Sequence, residues 1–312
     1  MRTGTTQLDV VARRQVAEDV AELTLRHPRG ERLPEWTPGA HVALSLPNGM
    51  VRAYSLCGDR WDATTWTIAV RREAGGTGGS VLVHDHLHPG STVGAGAPRS
   101  SFPLVPATCY TFVAGGIGIT PFLPMLDAAA RLGVPYRLLY VGRTRRAMPY
   151  VDELTTGRHG AHVKVRTTAG DGRPDLRTEI GAVGPGHRVY GCGPASLVAD
   201  LVRLAACWPP ATLWTEAFAR PTTLDTDEPF TAHLARTGRR VDVPRTSSLL
   251  EALHAAGVDV MSSCRVGSCG ACETGVVEGV VDHRDAILTD GDAGVMFPCV
   301  SRARAGLVVL DL

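Results

Sequence analysis

Three cysteines near the end of the chain fall in the run Met261-Ser262-Ser263-Cys264-Arg265-Val266-Gly267-Ser268-Cys269-Gly270-Ala271-Cys272, and Cys299 follows at a distance. Their C-x4-C-x2-C spacing with a remote fourth thiol is the plant-type ligand pattern of a 2Fe–2S cluster. The thiolates must converge on a pair of irons, so the loop has to wrap closely and turn its backbone N–H groups toward the sulfurs. Gly267 and Gly270, with the small Ser263, Ser268 and Ala271, allow that approach. Structural zinc loops favour paired C-x2-C knuckles and often histidine. A lone C-x2-C is present here, and His283 stands at no zinc spacing. The candidate metal ligands are therefore Cys264, Cys269, Cys272 and Cys299.

A cluster needs a source and a destination for its electrons, and the chain is long enough to carry more than a cluster. At 312 residues, about two or three domains are expected. An apolar fraction of 44% supports sizeable cores, and a net charge of +1 gives no footprint for nucleic acid or an anionic membrane. Met1 to Gln7 lead into polar sequence without the apolar core of a signal peptide, and no run approaches the roughly 20 apolar residues of a membrane span. With the cluster cysteines set apart, Cys57, Cys109 and Cys207 read as ordinary buried thiols. A cytoplasmic protein, acting as a monomer, is expected.

The first hundred residues alternate in short runs, at Ala21/Leu23/Leu25, at Val42/Leu44/Leu46 and over 67–71, with turn signals between them. Pro47-Asn48-Gly49 reads as a hairpin turn, and the pattern suggests a small β-barrel. The strand after the hairpin carries Arg52-Ala53-Tyr54-Ser55-Leu56. Alternation puts Arg52, Tyr54 and Leu56 on one face and Ala53 and Ser55 on the other. A cation, an aromatic plane and a hydroxyl suit a phosphate, a flat ring and a ring heteroatom. Arg71-Arg72 close a later strand, and a glycine-rich turn ending Gly78-Gly79-Ser80 opens a helix over 81–87, which offers free N–H groups to an anion. His84, His86 and His88 on that helix do not share a face, so they read as a solvated helix end rather than a metal site.

The order Arg52…Tyr54-Ser55…Arg71…Gly79-Ser80 resembles the flavin domain of the ferredoxin–NADP reductase superfamily. The longer match, Trp36-x-Pro38-Gly39-Ala40-His41, Arg52-x-Tyr54-Ser55-Leu56, Gly79-Ser80…His84-Asp85, then Pro98-Arg99…Phe102-Pro103-Leu104, resembles its phthalate dioxygenase reductase branch. That resemblance implies FMN. It implies a site made of Arg52, Ala53, Tyr54 and Ser55, of Ala69, Val70 and Arg71, and of Gly78, Gly79 and Ser80. Arg52 and the Gly79-Ser80 turn would hold the phosphate, Tyr54 would lie beside the isoalloxazine, and Ser55 near its reactive nitrogen.

The middle third changes period. A buried strand over 110–114 runs into Gly115-Gly116-Ile117-Gly118-Ile119-Thr120-Pro121. Thr120 is expected to cap a helix over 122–132, with Pro121 in its first turn and Gly133 as its stop. Strands over 136–141, 162–168, 188–190 and 212–215 alternate with helices such as 195–207, which implies a parallel sheet with ligands outside its carboxyl edge. Two strand-to-helix turns, Gly116-x-Gly118-x-Thr120-Pro121 and Cys192-Gly193-Pro194, resemble the nicotinamide-nucleotide domain of the same superfamily. The first would carry the pyrophosphate, and Cys192 would lie beside the nicotinamide. Glu216-Ala217-Phe218 matches a returning segment, with Phe218 against the flavin ring. Ser55, Cys192 and Phe218 are thus the candidates beside the reacting atoms. Arg143, Arg145 and Arg146 follow a strand where an adenine ribose would sit. Relatives of this branch mostly use NADH, while arginines there suit the 2′-phosphate of NADPH.

A polar, proline-bounded connector precedes strands over 230–236 and 240–243, a helix opening with the capping pattern Ser248-x-x-Glu251, the cluster loop, and strands over 276–281 and 307–310. This resembles the β-grasp fold of plant-type ferredoxins. The expected order is an FMN-binding β-barrel over 1–104, an NAD(P)-binding α/β domain over 105–222, a linker over 223–229 and a 2Fe–2S ferredoxin domain over 230–312. The resemblance implies a reductase that passes electrons from NADH through FMN and the cluster to a separate oxygenase, with a Rieske non-haem iron oxygenase or demethylase favoured. A haem-thiolate (cytochrome P-450 type) monooxygenase is a second partner class. An iron–sulfur redox sensor or binding module is the reading from another class, and it would not require a complete hydride site.

Overall fold

Apolar alternation in the first hundred residues becomes a curved antiparallel sheet. The computed structural model describes residues 5–75, 78–218, 226–262, 267, 270–285, 288, 292 and 294–312. Strands β1 (Thr6–Ala17), β2 (Val20–Arg26), β3 (Ala40–Ser45), β4 (Val51–Ser55), β5 (Thr65–Arg71) and β6 (Thr92–Ala95) lie in the order β4-β3-β6-β1-β2-β5, with β7 (Arg99–Ser100) paired to β3. Helix α1 (Gly79–His86) links β5 to β6. Leu8, Val10, Leu23, Leu25, Val42, Leu44 and Ile68 form the core of this sheet. A slip of one residue in register would turn such a set into water, so burial fixes the pairing. The two ends of the order meet at an antiparallel bridge between Leu56 and Ile68, and the Cys57 amide donates to Thr67 O at 2.9 Å. The sheet thereby closes into the expected barrel. The hairpin over Pro47-Asn48-Gly49 is present, with Gly49 at φ +81, a left-handed angle that glycine adopts without penalty.

The parallel sheet follows in β8 (Cys109–Gly115), β9 (Tyr136–Gly142), β10 (Val163–Thr167), β11 (His187–Cys192) and β12 (Leu213–Glu216). Helices α2 (Phe122–Arg131), α3 (Val151–Thr156), α4 (Leu176–Ile180) and α5 (Ala195–Ala205) lie between them. The strand order is β10-β9-β8-β11-β12, and every pair is parallel. The chain steps outward from β8 to β10, then returns to the other side of β8 at β11. The topological switch point therefore lies between β8 and β11. Phe102, Phe112, Phe122 and Tyr190 pack as an aromatic cluster beneath it, with the Phe102 and Tyr190 rings 5.4 Å apart. The Tyr190 hydroxyl donates to Pro103 O at 3.0 Å and accepts from Val105 N at 2.8 Å, which ties the segment leaving the barrel to the sheet. Barrel and parallel sheet together form one compact unit, Met1–Phe218.

The second unit spans Ala219–Leu312. It contains β13 (Phe230–Leu234), β14 (Arg240–Val243), α6 (Leu249–Ala255), β15 (Thr274–Glu278), β16 (Val281–Asp282), β17 (Val295–Met296), β18 (Arg302–Ala303) and β19 (Leu307–Leu310). The main sheet runs β14-β13-β19-β15-β17, parallel only between β13 and β19, and β16 pairs with β18. Helix α6 buries Leu249, Leu250 and Leu253 in this unit's core. Its capping box is complete. Ser248 Oγ accepts from Glu251 N at 3.2 Å, and Glu251 Oε2 accepts from Ser248 N at 2.8 Å. Such caps each contribute about 1 kcal/mol.

Several expectations change. The predicted strand over 276–281 is two strands, because Gly279 turns the chain at φ +114. Helix α1 begins at Gly79 rather than at residue 81, and His84 is not solvated: it is buried, with Nε2 2.8 Å from Val70 O. Cys57 is buried as expected, but Cys109 is half-buried and Cys207 is exposed at the end of α5. Asp227, inside the predicted connector, is buried: Arg284 donates to both its oxygens, at 2.6 and 3.0 Å, and Arg302 lies 3.5 Å away. The second unit's body therefore begins before β13. Among the described residues, no helix is long and apolar enough to cross a membrane.

Candidate functional site

Strand β4 places Arg52 opposite Leu44 and Tyr54 opposite Val42 on β3. Arg52 and Tyr54 thus share a face with core residues, and Tyr54 packs against the barrel core. Burial pushes the Tyr54 phenol up to about 12, with Arg52 opposing. Ser55 ends the strand and is buried, as is Leu56 after it, so alternation stops where the barrel closes. Gly79 opens α1 directly beside the Arg52 side chain: a Cβ there would lie 2.9 Å from both Cγ and Nε of Arg52. Gly78 precedes it at φ +87, and Ser80 Oγ accepts from Glu73 N at 2.9 Å, which fixes the turn. Ala69 and Val70 are buried on β5, and Arg71 ends that strand, exposed. Arg52 and the start of α1 therefore stand side by side, with buried Ser55 three residues farther along β4. This donor set fits an anionic group attached to a flat ring.

The two glycine turns leave the carboxyl ends of adjacent strands at the switch point, where Ala114 pairs with Cys192. They are pressed together. A Cβ on Gly118 would lie 2.3 Å from Cys192 O, and a Cβ on Gly115 would lie 2.5 Å from Cδ of Pro194. Gly116 has φ +56 and opens a 3₁₀ turn over Gly116–Ile119. Thr120 does not cap α2 with its side chain. Its hydroxyl donates back to Ile117 O at 3.1 Å, closing the 3₁₀ turn, and α2 begins after Pro121. Gly193 sits within the contact, and Pro194 precedes α5. Cys192 is fully buried. Burial drives its thiol well above the ordinary range, with Glu216, its register partner on β12, adding to the shift. It is therefore a neutral thiol, not a thiolate nucleophile. Phe218, just past β12, is 37% exposed.

At the end of β9, Arg143 is exposed. Arg145 is engaged: it donates to Asp152 Oδ1 at 2.6 and 2.9 Å and to Thr155 Oγ1 at 3.0 Å. In the second unit, Cys272 and Cys299 are buried, whereas Cys264 and Cys269 lie outside the described residues. Gly267 and Gly270 both have φ +69, and a Cβ on Gly267 would lie 2.9 Å from Cα of Asp285. Two buried thiols and a loop whose backbone requires glycine fit a metal cluster wrapped by main chain.

Sequence reasoning did not find Tyr140, Tyr150 and Glu22. The Tyr150 hydroxyl donates to Glu22 Oε2 at 2.8 Å across 128 positions of chain, a contact without a local signature.

Known proteins match this architecture. A family profile described as "Oxidoreductase FAD-binding domain" matches residues 7–103, and one described as "2Fe-2S iron-sulfur cluster binding domain" matches residues 232–304. The chain is 36% identical to phthalate dioxygenase reductase of Burkholderia cepacia, over 99% of this chain and 98% of that protein. A solved structure of phthalate dioxygenase reductase, described as modular for electron transfer from pyridine nucleotides to [2Fe-2S], superposes with a TM-score of 0.79 at 36% identity, covering 99% of this chain and 98% of the other. An intact type IV self-sufficient cytochrome P450 monooxygenase gives a TM-score of 0.80 at 37% identity, over 99% of this chain and 41% of that one. The chain belongs to the phthalate dioxygenase reductase family of electron-transfer oxidoreductases, with a flavin-binding domain followed by a C-terminal 2Fe–2S domain.

Proposed function

We propose that this reductase draws electrons from NADH through FMN and a 2Fe–2S cluster and delivers them to a separate oxygenase, of which a Rieske non-haem iron oxygenase or demethylase is the favoured class. When bound, the three groups supply two-electron hydride chemistry, conversion from pairs to single electrons, and single-electron delivery. The observation that carries this reading is the pairing of the two turns at the switch point between β8 and β11, in the same compact unit as Arg52, Tyr54 and Ser55. Such crevices bind nucleotides, and the turns' glycines let the main chain approach a pyrophosphate.

FMN, rather than the FAD of the family profile's description, fits the convergence of Arg52 and the first amides of the eight-residue α1 on one place, where a single terminal phosphate would end. NADH fits because Asp152 and Thr155 occupy the Arg145 guanidinium, one of the three arginines that follow β9, and so compete with a 2′-phosphate for it. Cys264, Cys269, Cys272 and Cys299 would hold the cluster. Cys57, Cys109, Cys192 and Cys207 are free thiols, which suits a reducing cytoplasm, and we take the protein to act as a monomer.

The kinship with a self-sufficient P450 favours one alternative, a haem-thiolate monooxygenase as acceptor. A redox sensor is the third reading. The deciding experiment begins with extraction of the purified protein, which should release FMN and leave iron and sulfide. NADH should then reduce cytochrome c catalytically, and reconstitution with candidate oxygenases should yield product with one class only. Release of FAD, or zinc without sulfide, would overturn the cofactor assignment; failure to turn over would favour the sensor.

A further inference from the structure

Hydride transfer requires the nucleotide-binding turns to be held at a fixed distance from the flavin strand. These two parts belong to different sheets. A pair of tyrosines connects them. The Tyr140 hydroxyl, on β9, lies 3.1 Å from Gly116 O in the first glycine turn and 2.9 Å from Pro149 O. The next residue, Tyr150, sends its own hydroxyl the other way, into the barrel. It donates to Glu22 Oε2 at 2.8 Å and sits 3.8 Å from Cys57 Sγ. Cys57 stands two positions after Ser55, and its amide is part of the barrel's closing seam. Glu22 faces Ala69 across β2 and β5, and it is held on its other side by Arg14 at 3.0 Å. Arg14 in turn reaches Glu153 on α3 and stacks over the Tyr150 ring at 5.8 Å.

Tyr150 adopts φ +60, ψ 10, a left-handed conformation uncommon for a large side chain. It is buried, and burial holds its phenol protonated, so it remains a donor. A glycine or asparagine would adopt this backbone more readily but would leave Glu22 and Cys57 without their contact. Strained residues persist where surrounding contacts over-determine them.

We infer that Tyr150 is a positioning residue for hydride transfer, a strut that sets the separation between the Gly116–Pro121 turn and the flavin strand by bracing Pro149 against Glu22 and Cys57. This rests on the NADH-to-flavin reading above.

The test uses the full-length holoprotein carrying Tyr150→Phe, Glu22→Ala, or both, mixed anaerobically with NADH. Three quantities are read: the limiting rate of flavin reduction, the NADH concentration at half-maximal rate, and the long-wavelength charge-transfer absorbance of the coenzyme–flavin complex. Tyr150→Phe should lower the limiting rate at least fivefold and weaken the charge-transfer band. FMN content should be unchanged, and the half-saturating concentration should stay within twofold. The double variant should be no slower than the slower single one, because both cut the same strut. Independently of coenzyme, Cys57 should be alkylated faster in Tyr150→Phe. If Tyr150→Phe loses FMN, Glu22→Ala carries the measurement. Loss of FMN from both would make the network part of barrel integrity and overturn the inference. An unchanged limiting rate with an undiminished band in FMN-loaded Tyr150→Phe, or fully additive losses, would also overturn it. No flavin reduction by NADH in the parent protein would instead bring down the functional reading, and the strut's role with it.

Discussion

Gly118 stands against the Cys192 carbonyl so closely that a Cβ would lie 2.3 Å from that oxygen. The obstacle is backbone, which cannot swing aside as a side-chain tip does. Gly118→Ala must therefore push the two turns apart. Overpacking of this kind costs typically about 1–3 kcal/mol. The expected result is a folded, flavin-loaded protein whose flavin reduction by NADH slows tenfold or more, read by stopped-flow absorbance beside FMN content.

At Gly79 the neighbour is instead the Arg52 side chain, 2.9 Å from the built Cβ. Gly79→Ala should fold but displace the guanidinium, and so mimic Arg52→Ala. A charge-assisted bond to phosphate contributes of order 1.5–3 kcal/mol, so each variant should weaken FMN binding by roughly one to two decades. Fluorescence titration of the apoprotein with FMN measures this. Unchanged affinity in Arg52→Ala would remove Arg52 from the phosphate site.

The thiols should sort by environment. Exposed Cys207 should be alkylated first in the native protein, while buried Cys57 and Cys192 resist, as peptide mapping would record. Burial holds Cys57 up to about 12, against 9.0 for a free thiol, and raises Cys192 as well. Both keep their proton in the fold after the unfolded chain has lost its own. Their stabilisation is therefore complete below about pH 9 and is lost as pH climbs from there toward 12. Melting temperature should fall across that window, and Cys57→Ala should flatten the fall.

Because Met1–Phe218 is compact by itself, a protein ending at Phe218 should keep FMN and still oxidise NADH with ferricyanide, which can take electrons directly from flavin. Reduction of cytochrome c should disappear with the cluster. Full cytochrome c activity in the shortened protein would place the cluster off the electron path.

In the second unit, Arg284 donates to both oxygens of buried Asp227 and also to Asp282 at 2.6 Å. Arg284→Ala would strip buried Asp227 of both of these bonds, with Arg302 3.5 Å away. Breaking a buried pair by removing one partner costs about 3–5 kcal/mol. The isolated second unit should melt at distinctly lower temperature and lose iron during purification; an unaltered melt would show that Asp227 does not depend on Arg284.

Local chemistry was legible in the sequence where it determines local structure. The Ser248–Glu251 box, the Pro47–Gly49 hairpin and the alternation of strands with helices through the middle third all depend on residues a few positions apart. Thr120 misled because its hydroxyl donates back to Ile117 O within the 3₁₀ turn instead of accepting from the first amides of α2. Cys207 misled because α5 stops at Ala205 and leaves it in the exposed turn beyond the helix, where residue type does not secure burial. Asp227 looked like connector because it is flanked by polar sequence, and its partner Arg284 lies 57 positions on. The Tyr150–Glu22 contact was invisible for the same reason: side chains that meet only after two sheets have folded leave no period or motif behind.

The barrel's closing seam, the Leu56–Ile68 bridge with the Cys57 amide on Thr67, follows immediately after Ser55. A ring of strands breathes at its thinnest joint, and here that joint adjoins the residue proposed to touch the flavin. Any ligand that favours the closed ring raises the free energy of opening by its own binding free energy. Cofactor occupancy should thus be written into deuterium uptake: the Cys57 amide would exchange slowly in the loaded protein and rapidly in the empty one, while amides in the middle of β1 and β2 would record little difference.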